Sequence, residues 1–221
     1  MRLSQIANPK STVEFVIRLH RACQHRRLKV EQVGNVSGYN VPKVIINPGK
    51  SRTLLVTAGI HGDEPAGPVA LTHWIEGGSF PFDLRVIVLP LLNPVGFAKK
   101  SRFNKSRRDL NRGFGKDGEQ PEVKLFKKAV EGEKIDFLLS MHEDDTHSGL
   151  YLYYTDEGKA EVSKRVLTAA KEYLPVEDAK SIYGDKCEDG LIYVSSTNHS
   201  PKNVNSMEYY MKGRGIPSIT F

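Results

Sequence analysis

Two cysteines in 221 residues, Cys23 and Cys187, are too few for a disulfide framework, and neither belongs to a CxxC or Cys/His cluster. A cysteine-stapled scaffold is therefore excluded, and both residues read as ordinary thiols of a reducing compartment. No stretch approaches the roughly 18 to 20 apolar residues needed to cross a bilayer, and the opening MRLSQIANPKSTVEF has no long apolar core of the kind a secretory leader carries. The expectation is a soluble, cytoplasmic protein with no membrane partner. Internal repeats and low-complexity segments are absent as well. The formal net charge is +6, but its basic residues fall into small separated groups, such as Arg21 to Arg27, Lys99 to Arg108 and Lys124 to Lys128. Without a recognition motif or a basic stripe with interleaved aromatics, no nucleic-acid partner is expected. The milder consequence of such a charge is attraction of anionic substrates.

What is present suits one α/β domain. A chain of this length, 39% hydrophobic and 26% charged, can bury one substantial core, and a single domain over residues 1–221 is the expectation. Val13, Phe15, Val16, Leu19 and Cys23 follow helical spacing after Ser11-Thr12 and predict an opening amphipathic helix. Lys29 to Val36 and Val41 to Asn47 read as strands around the turn-forming Ser37-Gly38-Tyr39-Asn40. Short apolar runs at Thr53 to Ala58, Leu84 to Leu91 and Ile135 to Met141 read as buried strands. Pro65 suits a first helical turn, so Ala66 to Ile75 continue as a helix. Asn93 to Gly118 read as a long functional loop, and Pro121 to Glu131 as a helix. Leu150 to Tyr154 predict a strand, Glu157 to Tyr173 and Met207 to Lys212 helices, and Ile216 to Phe221 a final strand. Apolar strands alternating with helices imply a mixed, mostly parallel twisted sheet covered on both faces. In such a sheet ligands gather at the C-terminal strand ends.

Three residues follow those strand ends with donor side chains. His61 and Glu64, three apart, fall on one side of a strand-to-helix turn, and His142 closes the run Ile135 to Met141. Two imidazoles and one carboxylate make the donor set of an open catalytic zinc site, which keeps a fourth position for water.

His61-Gly62-Asp63-Glu64, Asn93-Pro94-x-Gly96, Arg102, Asp109-Leu110-Asn111-Arg112, His142 and Gly215-Ile216-Pro217-Ser218-Ile219-Thr220-Phe221 resemble, in this order, the motifs of the zinc carboxypeptidases. That superfamily includes the succinylglutamate desuccinylases and aspartoacylases. The resemblance covers roughly residues 53 to 221 and implies a zinc-carboxypeptidase-like fold of the phosphorylase/hydrolase-like type. It implies that His61, Glu64 and His142 hold one zinc ion and that Asp109 orients an imidazole from behind. It also implies that Asn111 and Arg112 grip a substrate carboxylate, the arginine fork taking both oxygens, while Arg102 stabilises the developing oxyanion. The reaction implied is hydrolysis of an amide next to a free carboxylate, the C-terminal residue of a peptide being the leading substrate. Arg102 stands nine residues before Asn111, an interval that looks more like the carboxypeptidase branch. An N-acyl amino acid deacylase is the alternative.

Two departures separate the chain from that pattern. The general base of the family is a glutamate directly after a strand resembling Ser-Ile-Thr-Phe, and this sequence ends at Phe221. Glu143 is no replacement, because a residue next to a ligand on a strand points to the other face. The expectations are a truncated hydrolase or a non-catalytic zinc and peptide-binding module. The substrate-capping tyrosine is also out of register: the stretch reads Ser196-Thr197-Asn198-His199-Ser200-Pro201, with His199 the candidate substrate contact and Tyr193, Tyr209 and Tyr210 read as core or surface residues. Glu143-Asp144-Asp145-Thr146-His147 reads first as a loop with turn roles, a second cation site being the alternative. Side-chain specificity, expected from about Thr197 to Met207, and oligomeric state are not legible.

Overall fold

A computed structural model of the chain describes residues 11–115, 119–194 and 204–221. Within them lie strands β1 (Val30–Val36), β2 (Tyr39–Ile46), β3 (Thr53–Ala58), β4 (Arg85–Leu89), β5 (Phe137–Met141), β6 (Leu152–Tyr154), β7 (Ser181–Ile182), β8 (Asp185–Lys186), β9 (Leu191–Tyr193) and β10 (Ser218–Thr220). Helices are α1 (Thr12–His25), α2 (Ala66–Gly77), α3 (Pro94–Lys99), α4 (Pro121–Ala129), α5 (Ala160–Ala170) and α6 (Met207–Gly213). Eight strands form one sheet in the order β1-β2-β4-β3-β5-β10-β6-β9, and β7 pairs with β8 apart from it. The centre, β4-β3-β5-β10, is parallel, and antiparallel pairs flank it on both sides, so the sheet is mixed with a parallel heart.

Side-chain alternation along the central strands sorts the core into two layers. Leu55, Ile87, Leu89 and Leu138 face α4 and α6, where Val123, Phe126, Met207 and Met211 are buried. Val56, Ala58, Val86 and Val88 face the other way, onto Phe15 and Leu19 of α1 and Leu71 and Ile75 of α2. Leu167 of α5 buries against Leu152 and Ile219 beyond them. The period-2 pattern of strands buried on both faces produces helices on both sides.

Three elements differ from the sequence expectation. The first turn is tighter: Ser37 and Gly38 both take positive φ (52° and 92°), a two-residue hairpin turn whose twist matches the strands, so Tyr39 and Asn40 join β2 instead. The segment Asn93 to Gly118 is not loop throughout. Asn93 caps α3 by accepting the Gly96 amide at 2.8 Å, and Pro94 occupies the first helical turn. The same dipeptide that ends a strand therefore starts a helix. Finally, β7, β8 and β9 have two or three residues each, too short to leave a periodic signal.

Candidate metal centre

His61 follows β3 and His142 follows β5, neighbouring parallel strands in which Ala58 pairs with Met141. The two imidazoles thus emerge side by side, ring centroids 4.9 Å apart. Glu64, three residues past His61 and two before α2 begins, reaches back between them: its carboxylate lies 2.6 Å from His61 Nδ1 and 2.8 Å from His142 Nδ1. One donor atom from each of the three residues falls within 4.8 Å of the others. All three are largely shielded from solvent, His61 and Glu64 fully buried. Among the described residues this is the one group of three or more His, Cys, Asp or Glu side chains so arranged.

The turn carrying His61 and Glu64 is fixed by backbone-on-backbone packing. The Gly62 amide donates to Ser101 O at 3.0 Å, and a Cβ on Gly62 would overlap the Gly96–Phe97 peptide at the start of α3. Asn93 ties the same pieces together, donating to Ile60 O at 3.3 Å. Gly62 and Asn93-Pro94-x-Gly96 are thereby one packing unit.

Behind each imidazole stands a carboxylate. Asp109 Oδ1 lies 3.1 Å from His61 Nε2 and also accepts the Asn111 amide at 2.9 Å, capping the short 3-10 turn Leu110–Arg112. Glu208, in the first turn of α6, lies 3.7 Å from His142 Nε2. Burial works to raise these carboxyls, but the imidazoles outweigh it. Glu64 is brought down to about 2 by His142 and His61, and Glu208 to about 2 mainly by His142. Asp109 is pulled further below the carboxylate range by His61, with Arg102 and Arg112 contributing. His142 moves the other way: burial alone would lower it, yet Glu208 and Glu64 hold its proton and raise it. Two imidazole nitrogens and a carboxylate converging in a shielded place form a donor set that suits a metal cation.

The remaining candidates surround this core unevenly. Arg102 donates from Nε to Asp109 Oδ2 at 3.0 Å, and its Nη1 lies 3.5 Å from Glu64 Oε1. Arg112 is exposed and donates to Asn111 O at 2.9 Å, which leaves the rest of its guanidinium facing solvent. Asn111 is buried, with both ends of its amide engaged: Oδ1 accepts the Met207 amide at 2.8 Å and Nδ2 donates to Glu208 at 3.2 Å. The interval between Arg102 and Asp109 is a folded turn in which Asn104 Oδ1 accepts the Ser106 and Arg108 amides, both at 3.0 Å. Asn104 Nδ2 in turn donates to Glu122 of α4 at 3.2 Å. His199 lies outside the described residues.

Glu143 lies past the end of β5, and its carboxylate accepts the Ala66 amide at the start of α2, where burial and the nearby Glu64 and Asp63 push it above the ordinary carboxylate value. Asp144 is saturated by Thr146, His147, Tyr151 and Tyr183, the geometry of a turn anchor. Glu208 was missed in the sequence. An acidic residue two places after a capping serine reads as complement to the helix dipole. The available signal was its place between Met207 and Met211, on a helix packed into the core.

The model of the succinylglutamate desuccinylase/aspartoacylase catalytic domain matches residues 50–177, more than half of the chain. The chain belongs to this family. The matched span holds His61, Glu64, Asp109, Asn111, Arg112 and His142. No curated protein matches the sequence. Among solved structures, a candidate metallopeptidase from Shewanella amazonensis SB2B shares the fold with a TM-score of 0.83 at 23% identity, over 96% of this chain and 84% of its own. A metallo-carboxypeptidase from Burkholderia cenocepacia gives a TM-score of 0.66 at 16% identity, over 95% of this chain and 59% of its own. Carboxypeptidase A from Helicoverpa armigera gives 0.71 at 14%, over 96% and 63%. The chain therefore has the fold of the zinc carboxypeptidase-like superfamily of metallohydrolases. No helix among the described residues is long and apolar enough to cross a membrane.

Proposed function

We propose that the protein is a zinc-dependent hydrolase of an amide bond next to a free carboxylate, with the C-terminal residue of a peptide as substrate. The observation that carries this reading is the convergence of His61 Nδ1, Glu64 and His142 Nδ1, each imidazole facing a carboxylate with its far nitrogen. Two nitrogens and a carboxylate suit zinc, and Asp109 behind His61 favours the tautomer that leaves its Nδ1 free to ligate. When bound there, zinc supplies Lewis acidity and an acidified water.

The chain's own residues do the rest. The exposed Arg112 offers its planar fork to the substrate carboxylate and so fixes which amide lies beside the three donors. Arg102, held by Asp109 at the rim of the same cluster, is placed to face negative charge developing on the carbonyl oxygen. Phe221 prolongs the pairing of β10 with β5, its amide donating to Ser140 O and its carbonyl accepting the His142 amide, both at 3.0 Å. That pairing sets the Phe221 carbonyl beside His142.

The family match favours a second reading, N-acyl amino acid deacylation, in which the same clamp holds the amino acid carboxylate. The peptide reading draws on the interval of nine residues between Arg102 and Asn111 and on the metallopeptidase likeness along nearly the whole chain. The experiment is zinc content of the purified chain together with hydrolysis of C-terminal peptides and N-acyl amino acids, by the chain itself and by a version carrying Glu after Phe221. Stoichiometric zinc with peptide cleavage is the expected result. Cleavage of acyl amino acids alone would move the assignment to the second reading, and zinc without either activity in both versions would leave a binding module.

A further inference from the structure

Asn111 and Glu208 sit 97 positions apart and bond directly, deep in the protein, behind the donor cluster. Glu208 is 8% exposed and Asn111 6%, a burial like that of Glu64 at 6%. Glu208 divides its carboxylate: Oε2 accepts from Asn111 Nδ2, while Oε1 faces His142 Nε2 at 3.7 Å. Neither Oε1 nor His142 Nε2 has a hydrogen-bond partner, and both are fully buried. Two buried polar atoms left without hydrogen-bond partners are costly, and a shift of about 0.8 Å would join these two in a charge-assisted hydrogen bond. Asn111 Oδ1 meanwhile caps the chain at Met207, so the residue that anchors α6 also aims the carboxylate that α6 carries.

We propose that Glu208 is a positioning residue for His142, and that Asn111 serves the metal centre by holding Glu208 rather than the substrate by contacting its carboxylate. The centre then has two matched supports, Asp109 behind His61 and Glu208 behind His142, and substrate carboxylate recognition passes to Arg112 without its neighbour. Both supports run through Asp109-Leu110-Asn111: Asp109 directly, and Asn111 through Glu208. This inference rests on the assignment of His61, Glu64 and His142 as metal ligands.

The test measures zinc affinity by chelator competition and the visible spectrum of the cobalt-substituted protein, in wild type, Glu208→Gln, Asn111→Ala and Arg112→Ala. Glu208→Gln keeps the size of the side chain but removes the charge and turns an N–H or a neutral oxygen toward His142. Zinc affinity is expected to fall about 10- to 100-fold, with displaced cobalt bands, the scale on which supports behind metal-ligating histidines act. Asn111→Ala is expected to lower zinc affinity too, by a smaller factor, and Arg112→Ala to leave it unchanged. Unchanged zinc affinity and an unchanged cobalt spectrum in folded Glu208→Gln overturn the positioning role while the metal site stands. Should Glu208→Gln not fold, Asn111→Ala decides: wild-type zinc affinity with weakened binding of a carboxylate ligand would return Asn111 to the substrate. A wild-type chain that takes up no zinc overturns the ligand assignment itself.

Discussion

Two groups of charges flank the sheet, one partly buried and one buried, and they are built on opposite principles. Near the beginnings of β4 and β5, Glu133 receives Lys43 Nζ at 2.7 Å and Arg85 Nη1 at 2.8 Å, and Lys43 also donates to Ala129 O at 2.9 Å. Both carboxylate oxygens have a cation, the lysine has a second acceptor, and the C-terminal turn of α4 is tied to the strands beneath it. At the other ends of β3 and β5, Glu64 lies between two imidazole Nδ1 atoms, while His142 Nε2 and Glu208 Oε1 stay without hydrogen-bond partners. The first group is complete as a structural element. The second has three donors converging on one point and buried polar atoms short of full pairing, which is the condition of a site organised around something it binds.

Substitutions separate the two. His61→Ala or His142→Ala has the largest expected effect: stoichiometric zinc is lost, with affinity reduced far beyond about 100-fold because a ligand and not its support is gone. Metal analysis and chelator competition read this directly, and retained stoichiometric zinc would remove the distinction drawn above. Glu133→Ala is the mirror image. It leaves Lys43 and Arg85 without their carboxylate, at a cost of about 1 to 2 kcal/mol in urea unfolding after screening by solvent, and should leave zinc affinity at its wild-type value. A change in zinc affinity there would join the two groups into one.

Arg112→Ala should weaken binding of a carboxylate-bearing ligand by about 2 kcal/mol, as expected for a charge-assisted contact, with zinc content unaltered. Titration calorimetry against the amidated analogue checks it, since the analogue should bind wild type and variant alike. The pH dependence follows from Glu133. Burial would raise its carboxyl, but Arg85 and Lys43 hold it below the ordinary 4.5. A depressed folded-state value means that its contribution is complete above pH 4.5 and is lost as the pH falls through the lower folded-state value. Thermal melts of Glu133→Ala should accordingly show a shallower acid limb than wild type. Ser11→Ala has the smallest effect, about 1 kcal/mol, because Ser11 Oγ caps α1 by accepting the Glu14 amide at 3.1 Å, remote from both groups.

Much of the architecture was legible because it rests on local periodicity. Thr53–Ala58 emerges at the bounds the sequence predicts, and α1, α2, α4 and α6 lie where apolar spacing and Pro or Ser starts put them. His61, Glu64 and His142 were legible for a related reason: strand ends are readable, and parallel strands deliver their ends to one place. Glu208 was hidden because nothing local distinguishes a helix-start glutamate that complements a dipole from one that turns into the core. The burial of Asn111, expected with Arg112 to grip a substrate carboxylate, was not legible, since it depends on α6 arriving from 97 residues away. Helix α3 was missed because Asn-Pro signals equally the stop of one element and the start of another.

The contact between Gly62 and the Gly96–Phe97 peptide has a consequence for anyone who would redesign this protein. The turn carrying His61 and Glu64 rests on another stretch of main chain with no side chain in between, so a larger residue at position 62 meets backbone rather than a side chain that could be shortened. The Arg102–Arg108 turn differs in that five of its side chains are exposed to solvent. The turn that carries His61 and Glu64 is held main chain to main chain, while the Arg102–Arg108 turn beside it is folded around the Asn104 side chain.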